Sequence, residues 1–204
     1  MRAATLAGVG LLERAVGYLL GSLHLVTPDA LSHATPCRDW DLRDLLHHVD
    51  DSLLALHESA GGQVGSVALR LPPADGELVA IVRQRARRLV GAWAAAPQPR
   101  LVAVDGLPIT AAVAASVGAV EIAVHGWDVA QACGHHRVIP PELAGELLEL
   151  TPLFVDTADR GRRFADPVWL PYGSSISDRL VAYVGRNPHC ALANRTASWL
   201  LRAS

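Results

Sequence analysis

The sequence predicts an all-α protein: an antiparallel four-helix bundle with a short irregular C-terminal extension. Three observations carry this. Apolar residues recur at helical spacing through the first three quarters of the 204 residues, strand-like alternation is almost absent, and the helical runs are long with short connections. The stretches are Ala3–Val26, Asp41–Ala60, Glu77–Ala96, Thr110–Cys133 and Pro141–Ala158. Thr27-Pro28-Asp29 stops the first, and Pro36 precedes the second. Asp41 and Asp44 form a capping-box pattern at the start of the second, with Asp in place of the usual Glu, and Gly61-Gly62 follows its end. Pro97 and Pro99 close the third, and Gly134 is the expected C-cap of the fourth. Leu101–Val104 is the one run expected to be extended, and a last short helix is expected near Asp178–Val184. Residues 1–160 then form the bundle, and 161–204 an extension packed on it within the same domain.

Composition narrows the function classes. Half the residues are hydrophobic and 19% are charged, which excludes a disordered chain. All 18 basic residues are Arg, and with 20 acidic ones they leave a net charge of −2. A nucleic-acid binder carries a basic stripe and a membrane anchor a basic cluster. Neither is present. Arg83, Arg85, Arg87 and Arg88 read as a solvated helix face. The small-residue run Ala111–Val120 ends at Glu121, too short to span a bilayer, and Glu13 and Arg14 interrupt any signal-like apolar core at the N-terminus. Three scattered cysteines (Cys37, Cys133, Cys190) give no disulfide framework or zinc-finger spacing. These features predict a soluble, reduced, cytoplasmic protein without nucleic-acid or membrane partners. An apolar bundle flank is compatible with a homodimer.

The fourth helix is the anomaly. It is apolar or small on nearly every face, as in a helix surrounded by protein, yet Glu121, His125 and Asp128 interrupt it. At 100° per residue these three fall within about 60° of one another. A buried carboxylate one turn from a buried imidazole must be paired, hydrogen-bonded or bound to a metal. In the second helix, Leu42, Leu45, Leu46, Val49, Leu53 and Leu56 form the buried stripe. His48 lies about 110° from its centre and can reach an inner cavity, whereas His47, at about 150°, faces solvent. Two imidazoles and one carboxylate with open positions are the ligand set of catalytic zinc and of the non-haem iron triad. A single Glu-x-x-x-His favours one metal over a di-iron centre, and HExxH is absent.

Other residues have plainer readings. His24, His33, His57 and His189 are surface or satisfied histidines, and His135-His136-Arg137 complements the end of the fourth helix. Cys37 reads as packing beside Trp40, Cys133 as a small buried thiol, and Trp40 and Trp127 as core aromatics close to the ligands.

Residues 35–49 (Thr-Pro-Cys-Arg-Asp-Trp-Asp-Leu-Arg-Asp-Leu-Leu-His-His-Val), followed by Glu121-Ile-Ala-Val-His-Gly-Trp-Asp-Val-Ala130, resemble the DinB-like metal-binding bundles. The closer resemblance is to the branch holding mycothiol-dependent maleylpyruvate isomerase and its single-domain actinobacterial relatives. Ala132-Cys-Gly134, Phe164-Ala-Asp-Pro167, Arg179-Leu and Gly185-Arg-Asn-Pro188 are similar to that branch too, so the resemblance runs through nearly the whole chain. It implies one divalent metal, zinc first and nickel or iron next, held by His48, Glu121 and His125. It also implies mycothiol as thiol cosubstrate, held as a thiolate by the metal. Asp128 is then either an outer residue orienting an imidazole or a helix-end polar contact. The family's isomerase carries a further C-terminal domain for which this sequence leaves no room, so transfer and isomerisation both stay open. The leading expectation is metal-dependent activation of mycothiol or another small thiol for transfer to, or isomerisation of, an electrophile. The alternatives are a non-catalytic sequestering protein and a hydrolase using metal-bound water.

Overall fold

The structure is a computed structural model and describes residues 2–37, 39–62, 74–96, 101–104, 107–155, 160–161 and 164–189. Its helices are α1 (Arg2–Leu23), α2 (Leu42–Ala60), α3 (Asp75–Ala95), α4 (Ala111–Ala132), α5 (Pro141–Leu150) and α6 (Ile176–Tyr183). Strands β1 (Leu101–Val104) and β2 (Leu107–Thr110) pair antiparallel between α3 and α4, with Val102 opposite Ile109. The all-α bundle expected from the sequence is present. Pro97, Pro99, Cys190 and residues 156–158 of the expected fifth helix lie outside the described residues.

Contacts between helices fix their directions. His48 and Leu56 of α2 meet Glu121 and Gly118 of α4 respectively, so these two helices are antiparallel. Asp50 and the Leu56 carbonyl of α2 meet Arg85 and Trp93 of α3, so α2 and α3 run parallel. Gly8 and Tyr18 of α1 lie against Ala112 and Gly126 of α4, which makes that pair parallel as well. The bundle is therefore up-down-down-up. The stretch between Ala60 and Asp75 is long enough to return along a 19-residue helix, since an extended chain reaches roughly 3.3 Å per residue against 1.5 Å in a helix.

Local signals account for the element ends. Asp41 accepts from the Asp44 N–H at 2.9 Å while Asp44 accepts from the Asp41 N–H at 3.3 Å, the reciprocal cap expected for α2. Gly134 takes φ +76°, and the His135 N–H closes back on the Ala130 carbonyl at 2.9 Å, ending α4. Two expectations are corrected. The first helix stops at Leu23, and Pro28–Ser32 forms a 3₁₀ turn of its own. The fifth stops at Leu150, because Pro152 has no N–H to continue it and a 3₁₀ turn follows over Thr151–Leu153. The β2 partner was not foreseen, although Asp-Gly between two apolar runs is a hairpin signal in the sequence itself.

The core lies where the four long helices meet. Leu42, Leu45, Leu46, Val49 and Leu53 of α2 are at most 1% exposed. Each contributes about 2 kcal/mol by burial, anchoring the turn that carries His48. Helix α4 is long and apolar enough to cross a bilayer, but 72% of that window is buried inside the bundle, which accounts for its composition. α5 and α6 pack on one another, and α5 also touches α1 and α4. The arginine face of α3 is corrected: Arg87 and Arg88 are exposed, while Arg83 donates to the Leu23 carbonyl at 2.7 Å and Arg85 pairs with buried Asp50.

Candidate metal centre

His33–Cys37 and Asp39–Asp41 belong to a compact loop before α2. Its ends are held by the Ala34–Asp41 bridge and by the Leu42 N–H donating to the His33 carbonyl at 2.9 Å. The Thr35 hydroxyl accepts the Cys37 N–H at 3.1 Å and lies 3.0 Å from the Trp40 carbonyl. Asp39 supplies the left-handed residue that tightens the turn, at φ +67°. The His33 ring, bonded through Nδ1 to the Ala132 carbonyl at 3.0 Å, ties this loop to the end of α4. Cys37 and Trp40 are thereby carried to the α2–α4 seam.

At that seam the expected residues converge. His48 Nε2 is 2.7 Å from Glu121 Oε1, and His125 Nε2 is 3.1 Å from the same oxygen. The three potential ligand atoms all lie within 4.8 Å of one another. The two imidazole rings meet edge to face with centroids 4.9 Å apart, and the Trp40 ring flanks His48 at the same distance. His48 and Glu121 are about a third exposed and His125 is buried, so the cluster has an open side and a closed one. His47 is half-buried and belongs to no such cluster among the described residues.

On the closed side, His125 Nδ1 meets Asp128 Oδ2 at 3.0 Å. Asp128 is fully buried and also receives Arg186, with Nη2 at 3.1 Å from Oδ2 and Nε at 3.4 Å from Oδ1. The Cys37 thiol donates to Asp128 Oδ2 at 3.3 Å and lies 3.4 Å from Arg186 Nη2. Sequence reasoning took Cys37 as packing and did not single out Arg186. A buried Asp128 demands a cationic partner, but the partner comes from 58 residues away, within the Gly185-Arg-Asn-Pro188 segment.

These contacts set the protonation states. Burial pushes the Glu121 carboxyl up, but His125 and His48 beside it outweigh burial and hold it well below its usual range. Burial opposes a charged His125, yet the Glu121 charge, then hydrogen bonds to Asp128 and Cys37, raise it well above its ordinary value. Burial likewise disfavours an ionised Asp128, and Arg186 followed by His125 reverses that, leaving it below normal. His125 therefore lies between two carboxylates, with Nε2 facing Glu121 and Nδ1 facing Asp128.

The donor set suits a divalent cation. Two imidazole nitrogens and one carboxylate oxygen on rigid helices, with one side toward solvent, match the three protein ligands of a catalytic zinc site. Two other arginines have structural partners. Arg137 donates to the Tyr18 carbonyl and Ser22 hydroxyl while stacking over the Tyr18 ring, which corrects its expected place at the end of α4. Arg14 pairs with Glu146 at 2.9 Å, so the 310 Å³ cavity that Arg14 and Arg137 line offers no unpaired cation. Trp127 is 2% exposed and belongs to the core, whereas Trp40 belongs to the centre's edge.

Residues 12–130 match the family model of the mycothiol maleylpyruvate isomerase N-terminal domain. Uncharacterized proteins from two strains of Mycobacterium tuberculosis are each 30% identical over 179 residues, which cover 85% of this chain and 94% of theirs. The crystal structure of the mycothiol-dependent maleylpyruvate isomerase is similar with a TM-score of 0.52, covering 72% of this chain and 68% of that one. At 19% identity this likeness speaks to the fold.

Proposed function

The chain belongs to the mycothiol maleylpyruvate isomerase N-terminal-domain family, and from that premise we propose that it is a divalent-metal-dependent enzyme of small-thiol chemistry. Its thiol cosubstrate is mycothiol or a related low-molecular-weight thiol, and its second substrate is a small electrophile that receives the thiol or is isomerised by it. The observation that carries this reading is the convergence of His48 Nε2, Glu121 Oε1 and His125 Nε2. These three residues would hold the metal, with zinc the first candidate for this ligand set.

A bound divalent ion supplies Lewis acidity and deprotonates a thiol ligated to it at neutral pH. The chain's own residues prepare that chemistry. Glu121 stays ionised and offers its charge toward the open side. His125 would ligate through Nε2, while its Nδ1 faces Asp128 Oδ2 at 3.0 Å, a contact that fixes the ring's orientation. Trp40 walls the His48 side with an apolar face, and the open side of His48 and Glu121 is where small substrates enter.

The test is elemental analysis of protein purified without chelators or metal-affinity steps, followed by calorimetric titration with mycothiol. About one equivalent of metal, lost in Glu121→Ala/His125→Ala, with thiol binding that disappears alongside it, is the expected result. Wild type that stays metal-free after reconstitution refutes the proposal.

A further inference from the structure

Two groups of potential ligands share His125. One is His48, Glu121 and His125 through Nε2; the other is Cys37, Asp128 and His125 through Nδ1. By donor type alone a cation suits either, and a thiolate–carboxylate–imidazole set is a respectable zinc site. What separates them is Arg186. Its guanidinium lies within hydrogen-bond distance of both Asp128 and the Cys37 sulfur, so the second group already contains a cation supplied by the chain itself.

We propose that Arg186 is a positioning residue of the metal centre, a role that rests on the metal reading above. By gripping Asp128 through Nη2 and Nε, it holds the carboxylate where Oδ2 accepts the His125 Nδ1–H. That fixes the ring with Nδ1 toward Asp128 and Nε2 toward Glu121 and His48. Arg186 thus assigns ligation to the His48–Glu121 side and closes the Cys37–Asp128 side to metal. A planar fork reaching both carboxylate oxygens is a task for Arg; Lys offers a point charge without that geometry.

The chain is built to deliver this side chain. After α6 the Gly185 N–H bonds the Ala182 carbonyl at 3.0 Å and the Arg186 N–H bonds the Val181 carbonyl at 2.9 Å, turning the chain sharply. Gly185 sits at φ +86°, and a Cβ there would stand 2.6 Å from the Ala165 Cβ and 2.9 Å from its backbone. Only glycine fits this crossing. Arg186 Nη1 then donates to the Val184 carbonyl at 3.0 Å, which braces the guanidinium from behind. The segment beyond the bundle therefore completes the centre from the side opposite its opening.

The test is titration of the full chain with Co²⁺, followed by visible absorption and by competition with a chelator, in wild type, Arg186→Met, Arg186→Lys and His48→Ala. Wild type and the Arg186 variants are compared for fold by circular dichroism of the metal-free proteins. We expect Arg186→Met to bind about 10- to 100-fold more weakly, the usual cost of losing a partner behind a ligating histidine. Its absorption band should also shift as the His125 ring loses its fixed orientation, and Arg186→Lys should recover part of both. A folded Arg186→Met with wild-type affinity and band overturns the proposal. If that variant fails to fold because the Asp128 charge is left unpaired, Asp128→Asn/Arg186→Met removes the imbalance and is held to the same criterion. Full affinity in His48→Ala together with loss in Arg186→Met puts the ion on the Cys37–Asp128 side and overturns the assignment. Wild type that binds no Co²⁺ overturns the metal reading and this inference with it.

Discussion

His48 on α2 and Glu121 on α4 meet at 2.7 Å between Nε2 and Oε1, a cross-helix contact that closes a ligand triad with His125. Since α2 and α4 are antiparallel neighbours, a ligand bound there clamps two helices that otherwise meet through apolar packing. A metal that binds the native chain and not the unfolded one stabilises it by about 2.7 kcal/mol at a hundredfold excess over Kd. For a chain of this size that is a rise of roughly 5–10 °C in Tm. We expect Zn²⁺ to produce such a rise in wild type and none in His48→Ala, measured by differential scanning fluorimetry. Equal rises in both would remove His48 from the ligand set.

The pair of Asp50 on α2 and Arg85 on α3 gives a second test. The Asp50 side chain is 5% exposed and its Oδ1 has no hydrogen-bond partner among the described residues, while Arg85 is 24% exposed. Arg85→Met strands a buried charge and should cost about 3 kcal/mol in urea unfolding. Asp50→Asn/Arg85→Met should cost much less, because neither charge is then left alone. Equal losses in the single and double variants would show that the pair is not coupled.

Gly126 lies between Glu121-x-x-x-His125 and Asp128, where α4 packs closely on α1. An added Cβ would stand 3.0 Å from the Tyr18 ring and 3.2 Å from the Leu19 Cα. The ring cannot easily retreat, because Tyr18 donates to the Arg137 carbonyl at 2.6 Å and Arg137 stacks over it. Overpacking of this kind costs about 1–3 kcal/mol, against a gain of about 1 kcal/mol for Ala over Gly in a helix. Gly126→Ala should therefore lower Tm by a few degrees. A higher Tm would mean that α1 gives way more readily than these contacts imply.

Cys133 caps the C-terminal end of α4 half-buried, and burial pushes its thiol up to about 11. A raised pKa keeps the neutral thiol until the medium is strongly alkaline, so alkylation at pH 7.5 should be slow. It should accelerate about tenfold per pH unit below pH 10, since only the thiolate reacts. Peptide mass spectrometry of iodoacetamide-treated protein reads this out residue by residue. Rapid labelling of Cys133 at neutral pH would contradict the burial argument.

Much of the candidate site was legible in the sequence because it is a matter of helical angles. Glu121, His125 and Asp128 share a face by spacing alone, and an otherwise apolar α4 makes their presence conspicuous. His48 was distinguished from His47 by its angle to a leucine stripe that the structure buries almost entirely, Leu56 being partly exposed. The capping box at Asp41 and the glycine stop at Gly134 are likewise contacts within a few residues. Arg83 and Arg85 show the limit of that reasoning, because helical spacing places them on a face without saying which neighbour covers it.

The sequence by itself determined the helices, most of their ends, and the residue types that point to a metal, because these follow from periodicities and caps local to the chain. Only the tertiary structure decided that α2 and α3 run parallel, since a connection of that length permits either direction. It also decided that Cys37 and Arg186 gather behind Asp128, at separations of 91 and 58 residues. Local pattern fixes where a side chain points on its own element. Which distant residue neutralises a buried charge is set by packing of the whole bundle.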